Sequence, residues 1–207
     1  MAADVYNMDS YLGGGAMRFT SERLLFRSFA ENDFGLFYSL FSNARVMRYA
    51  FWDRYESEDA LRPYFAEVME NNRATAGRKA YEFAVFLLES GTFIGAADIE
   101  ISIQNAQGGC GEIGYFLLPE YWGKGYATET AKAMTAFAFR HVKLHRVKAS
   151  CNSGNLESEK VLLKAGMIKE GEFRKARYKD GQWADEKHYS ILIDEWDGSP
   201  GIDAEEE

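Results

Sequence analysis

The segment Tyr121-Trp122-Gly123-Lys124-Gly125-Tyr126-Ala127-Thr128 holds the residues with the plainest chemical use in this chain. Glycines let a backbone approach a ligand closely, and the first N–H groups of a helix have no partner inside it. A Gly-rich turn that opens a helix therefore favours phosphate, helped by the helix dipole. Two familiar phosphate loops fail on this segment. A Walker loop needs Gly-Lys-Ser/Thr, but Lys124 is followed by Gly125. A dinucleotide fingerprint needs a third glycine where Thr128 stands, and an acidic residue near position 145, where His145 stands. What remains is a generic anion cradle or a plain tight turn. Further on, Asn155-Leu156-Glu157-Ser158 reads as a helix start, with Asn155 as its cap and Ser158 at the third helical position.

The elements around these signals must position them. Residues 111–118 predict a strand, stopped by Pro119. A helix is expected from the Gly123-Lys124-Gly125 turn to about 141, with Ala127, Ala131, Met134 and Ala138 on one stripe. Residues 146–151 predict a strand, and the helix opened by Asn155 ends at Gly166. Upstream, 23–27 reads as a strand and 33–41 as a helix, with Phe34, Phe37, Tyr38 and Phe41 at i, i+3, i+4 and i+7. Asn32 or Glu31 is its expected start signal. A second helix is expected over 57–72, with Glu58 and Asp59 in its first turn. Strands follow at 81–88 and 93–103, the latter with Asp98, Glu100 and Ser102 opposite Ile99, Ile101 and Ile103. Residues 104–109 read as a loop. Closing strands are expected at 167–174 and 187–196, with Lys179-Asp180-Gly181-Gln182 as turn residues between them. Residues 47–56 are aromatic and acidic without a period. The class is α/β with a mixed sheet.

Composition bounds the function. The 207 residues are 46% apolar and 27% charged, enough for one compact core and too few for two full domains. No run of about 18 apolar residues predicts a membrane span. The N-terminal residues lack the pattern of a secretory signal. Cys110 and Cys151 are too few for a disulfide scaffold, and the expected compartment is reducing and cytoplasmic. His141, His145 and His188 lack metal spacing. Net charge is −8, yet six acidic residues lie in the first sixteen and last nine positions, which hold no Lys or Arg. The body is nearly neutral, so neither nucleic acid nor membrane is an expected partner. We expect a flexible leader over 1–16, one domain over 17–198 and an acidic disordered tail over 199–207, as a monomer or homodimer.

Residues 19–195 resemble the GNAT superfamily of acyl-CoA N-acyltransferases, and most closely its ribosomal-protein-alanine N-acetyltransferase subgroup. The resemblance rests on Thr20-Ser21, Arg23-Leu24, Val46-Met47-Arg48-Tyr49, Gly111-Glu112-Ile113-Gly114-Tyr115, the 121–129 segment, Asn155-Leu156-Glu157-Ser158, Ala165-Gly166-Met167 and Glu170-Gly171. It implies a central, mostly antiparallel sheet with two splayed parallel strands and flanking helices. It implies acetyl-CoA as co-substrate and a primary amine as acceptor, with no metal. The pyrophosphate would lie on Gly123 to Ala127, with Thr128 adding a hydroxyl. Trp122 departs from the family's Gln/Arg.

The resemblance further implies that Tyr115, Phe116, Leu117 and Leu118 pair with the pantetheine arm, and that Asn155 contacts it. Ser158 would lie near the thioester sulfur. A backbone N–H near Phe116 would support the oxyanion. Leu162 stands where many members carry a tyrosine acid, so Ser158 is the nearest substitute. Arg177 stands where the subgroup can carry a carboxylate base. Glu112 is then the preferred base, with Asp98 and Glu100 as runners-up and Tyr178 and Tyr189 as further polar candidates. Cys151 either approaches the cofactor thiol or is a small buried hydrophobe. Tyr49, Phe51, Trp52 and Tyr55, with Asp53 and Glu56 nearby, would build the acceptor wall. The expected activity is N-acetylation of a protein N-terminal amine. The alternatives are a polyamine or amino-sugar acceptor, or a non-catalytic acyl-CoA sensor.

Overall fold

The structure is a computed structural model that describes residues 17–74 and 76–198, so the expected leader (1–16) and acidic tail (199–207) lie outside the described residues. The chain runs β1 (Arg18–Thr20), β2 (Leu24–Ser28), α1 (Phe34–Phe41), α2 (Glu58–Arg73), β3 (Ala80–Leu87), β4 (Phe93–Asn105) and β5 (Gly108–Leu117). It continues with α3 (Tyr126–Arg140), β6 (Arg146–Asn152), α4 (Leu156–Lys164), β7 (Ile168–Lys179) and β8 (Gln182–Leu192). The strands form one eight-stranded sheet in the order β1-β2-β3-β4-β5-β6-β8-β7. Every neighbouring pair is antiparallel except β5 and β6, which run parallel. The mixed sheet and its mostly antiparallel order are as expected.

Each face of the sheet carries a core. Phe19, Phe26, Phe83 and Ile99 meet Met134 and Phe137 of α3 and Leu162 of α4 on one side. Phe37 and Phe41 of α1 and Leu61 and Phe65 of α2 meet Ala84, Phe86 and Ala96 on the other. The start of α1 differs from expectation. A 3-10 turn, Glu31–Asp33, precedes it, and the Asp33 carboxylate, not Asn32 or Glu31, accepts the Ala30 N–H at 2.7 Å. Ser57 caps α2 as its sequence suggests, accepting the Ala60 N–H.

Both hairpins run further than expected. Residues 104–109 are not a loop: β4 and β5 extend to a two-residue turn at Ala106–Gln107. A register shift between Ile101 and Ile103 leaves Ile103 59% exposed, against the predicted alternation. In the β7–β8 hairpin, Asp180 and Gly181 both take positive φ, 51° and 74°, the geometry of a tight two-residue turn.

The feature that makes a site is an interruption. β5 and β6 pair only from Cys110–Glu112 against Arg146–Lys148, although both strands continue past that point. Beyond Glu112 and Lys148 the two strands part. The Leu118 N–H reaches the Ile94 carbonyl at 2.8 Å. By the alternation of an antiparallel ladder, Gly114 and Phe116 then turn their amides to β4, the Ile113 amide closes the last parallel pairing at Lys148, and Tyr115 and Leu117 turn theirs to the gap. Cys110 and Cys151 are free thiols at opposite ends of the parallel pair.

Candidate functional site

The gap opens into a cleft of about 910 Å³ that reaches from the Gly-rich turn to the segment between α1 and α2. Gly123 and Gly125 take φ of 74° and 83°, where only glycine is unstrained. Gly125 is the N-cap of α3, and among the described residues no side chain caps the helix's first N–H groups. Those donors are left for a ligand. The turn is held from outside. The Glu129 carboxylate accepts from the Ser21 hydroxyl at 2.6 Å, the Arg23 N–H at 2.7 Å and the Arg23 Nε at 2.7 Å. The Arg23 guanidinium also donates to the Lys124 carbonyl at 3.2 Å and lies over the Tyr126 ring. Ser21 and Arg23 thus fix the turn from the β1–β2 connection, far away in sequence. The Trp122 indole donates to the Leu117 carbonyl at 2.7 Å, and Arg45 stacks over its ring at 5.3 Å.

One wall carries hydroxyls. The Tyr115 hydroxyl and Ser158 Oγ lie 2.9 Å apart. Asn155 Oδ1 accepts the Ser158 N–H at 3.2 Å, capping α4 at the cleft's edge. Burial pushes the Tyr115 phenol above its ordinary range, so it stays a neutral donor. Leu162 packs in the core and offers no proton. Cys151 lines the cleft, and burial, with the Glu159 charge, pushes its thiol up to about 11. It is a neutral thiol near neutral pH.

The floor carries carboxylates. Glu100 stands directly opposite Glu112, and Asp98 opposite Gly114. All three acidic residues line the cleft. Glu112 is occupied: its Oε1 accepts from Ser150 Oγ at 2.5 Å and its Oε2 lies 3.6 Å from Lys148 Nζ. Burial pushes the Asp98 carboxyl up to about 8, with the charges of Glu82, Glu100 and Glu112 adding to the shift.

The structure brings most of the expected residues to the cleft: Tyr115, Phe116, Leu117, Trp122, Gly123, Gly125, Tyr126, Ala127, Thr128, Asn155 and Ser158. Leu118 and Lys124 are not in its lining. Of the amides near Phe116, where an oxyanion donor is expected, that of Phe116 itself faces β4, while those of Tyr115 and Leu117 face the gap. On the acceptor side Tyr49, Phe51 and Trp52 line the cleft, while Tyr55, Asp53 and Glu56 do not. Tyr55 stacks on Tyr64, and Glu56 lies against Arg54. Trp52 packs among Phe41, Tyr64 and Phe116, so core packing explains more of it than its sequence suggests. Tyr178 is 61% exposed beside Trp183, and the Tyr189 hydroxyl is engaged by Glu159 at 2.6 Å; neither reaches the cleft.

Sequence reasoning missed Arg45 and Tyr64, both cleft residues. Arg48 and Arg177 also line the cleft, and Arg177 stacks over Phe51 while pairing with buried Glu186 at 2.6 Å. No local signal marks them, since each is an ordinary helix, turn or strand residue until the fold places it. Among the described residues, no group of three or more His, Cys, Asp or Glu side chains is placed to hold a metal ion.

Comparison with known proteins agrees with this geometry. Residues 23–168 match the acetyltransferase (GNAT) domain. The uncharacterized N-acetyltransferase YnaD of Bacillus subtilis is 35% identical over 180 residues, 87% of this chain and 99% of that protein. The ribosomal-protein-S5-alanine acetyltransferase structure from Vibrio fischeri superposes with a TM-score of 0.71 at 26% identity, covering 88% of this chain and 99% of that one. The spermidine N-acetyltransferase from Vibrio cholerae, solved with CoA and spermine, shares the fold with a TM-score of 0.73 at 22% identity, over 84% and 98% of the two chains.

Proposed function

The chain belongs to the GNAT acetyltransferases, and from that premise we propose that its cleft acetylates a protein N-terminal amine. Acetyl-CoA, when bound, supplies the acyl thioester. The observation that carries the reading is the parallel pair that stops at Glu112 and Lys148 beside the uncapped start of α3. The α3 N–H groups and the Gly123 and Gly125 backbone hold the pyrophosphate. Arg45, stacked on Trp122, adds the positive charge that Trp122 itself lacks. The gap-facing amides of Tyr115 and Leu117 and the Tyr115 carbonyl pair with the pantetheine arm, the Leu117 carbonyl being taken by Trp122, and one of the two amides supports the developing oxyanion. Ser158, hydrogen-bonded to Tyr115, delivers a proton to the leaving sulfur. A carboxylate of the floor takes the amine proton.

A polyamine acceptor is the second reading. The aromatic wall and acidic floor favour it, but Arg48 and Arg177 at the same end of the cleft oppose a polycation. The deciding experiment offers acetyl-CoA with N-terminal peptides, spermidine and glucosamine. Peptide acetylation above background supports the first reading, and spermidine acetylation the second. No product from any amine, with acetyl-CoA bound, leaves an acyl-CoA sensor and overturns both.

A further inference from the structure

A fourth carboxylate lies behind the three on the cleft floor. Glu82 stands on β3 directly opposite Asp98 of β4, outside the cleft lining and only 8% exposed. Its Oε1 accepts from Asn71 Nδ2 at 3.2 Å, while its Oε2 has no partner among the described residues. A buried carboxylate oxygen without a donor is costly when charged. Directly opposed side chains on one sheet face are neighbours. Asp98 and Glu82 thus form a couple with one member open to the cleft and one sealed from it.

We propose that Asp98 takes the proton from the acceptor amine, and that Glu82 behind it is the positioning residue that shares the resulting charge balance. This rests on the acetyl-transfer reading and names the base within it. Asp98 accepts no hydrogen bond from the described residues, so its lone pairs are open, whereas both Glu112 oxygens are faced by Ser150 and Lys148. Gly114 opposite Asp98 keeps the carboxylate's space clear: a Cβ there would lie 2.5 Å from Asp98 Oδ1.

The groups facing Asp98 are Glu82 from β3, Glu100 from its own strand, Glu112 from β5 and Tyr64 from α2, and none is a cation. Glu82 is faced in turn by Asn71 and Glu67 of α2, by Glu100, and by the cation Arg78. Burial pushes Glu82 up to about 7, and Asp98 up to about 8. Carboxylates in that range accept an amine proton far more readily than exposed ones. In the step, the amine nitrogen forms the N–C bond and the C–S bond breaks. The nitrogen's proton passes to Asp98 and then to solvent, while the thiolate takes a proton relayed from solvent through Ser158.

The test uses the full chain with the best acceptor from the amine panel. Asp98→Asn should lower kcat by about 100-fold or more and erase the acid limb of the rate profile, with acetyl-CoA affinity retained. Glu112→Gln should lower kcat yet keep that limb. Glu82→Gln removes a like charge beside Asp98, so the limb should move to lower pH. An Asp98→Asn enzyme with a normal rate and limb, a Glu112→Gln enzyme without the limb, or a limb unmoved in Glu82→Gln overturns the proposal. Carboxyl ¹³C NMR on the unaltered protein reads the couple without turnover. Asp98 and Glu82 should titrate together above the ordinary carboxylate range, and ordinary values overturn the proposal whatever the acceptor. Wild-type protein that binds acetyl-CoA and acetylates no amine overturns the transfer reading itself.

Discussion

In the proposed transfer Tyr115 and Ser158 stand, as a hydrogen-bonded pair, in the place of a single phenol, which Leu162 cannot supply. A serine hydroxyl is a weak acid, but one anchored by a buried neutral phenol is held in a fixed direction. Ser158→Ala should therefore lower kcat about 10- to 1000-fold while leaving acetyl-CoA affinity nearly intact. Steady-state kinetics with a separate binding titration checks this. An unaffected kcat would mean that water protonates the sulfur. The capping by Asn155 was legible because it is local: an Asn just before an amphipathic helical stretch with acidic residues in its first turn reads as an N-cap. The Tyr115 contact was not, since it joins residues 43 apart in sequence through the sheet. Nor was the parity of the β5 amides, which depends on the register of the partner strand.

The turn into α3 starts its helix without a side-chain cap, and in the proposed site a ligand takes that place. Gly125 sits at φ 83°, and a Cβ there would also approach the Arg23 guanidinium to 3.4 Å. Gly125→Val should thus strain the turn and disturb the Arg23–Glu129 clamp. We expect coenzyme A affinity to fall at least about 10-fold, measured by calorimetry on a variant shown to be folded. Unchanged affinity would remove the turn from the site. This element could be read from sequence, because strand, glycines and helix are contiguous. The segment between α1 and α2 could not. Met47 is buried, Trp52 is packed and Phe51 faces the cleft, with a 3-10 turn at Val46–Tyr49 that has neither helical nor strand period. The extra length of the β4–β5 hairpin was hidden too, because Ala106–Gln107 lacks the usual turn residues.

Across the whole molecule, helices cover both sheet faces and the binding space lies within the sheet. That layout followed from the order of elements and the resemblance they carry. The point at which β5 and β6 part is not written in either strand, since beyond it β6 keeps its alternating burial and β5 runs on through the apolar Tyr115-Phe116-Leu117 without a break. The parting also makes a hydrogen-exchange pattern. Backbone amides that lack an acceptor exchange at rates set by solvent, and those in a ladder wait for local opening. Along β5 the two kinds alternate, so a single strand should exchange in two classes. Tyr115 and Leu117 should lose their amide hydrogens quickly in the free protein, while Gly114 and Phe116 beside them stay protected, as does Ile113, whose amide closes the last parallel pairing with Lys148. Saturating coenzyme A should slow Tyr115 and Leu117 and leave Gly114 and Phe116 unchanged, turning an alternating strand into a uniform one. Uniform protection before coenzyme A is added would show that the gap closes in solution and that the ligand must open it.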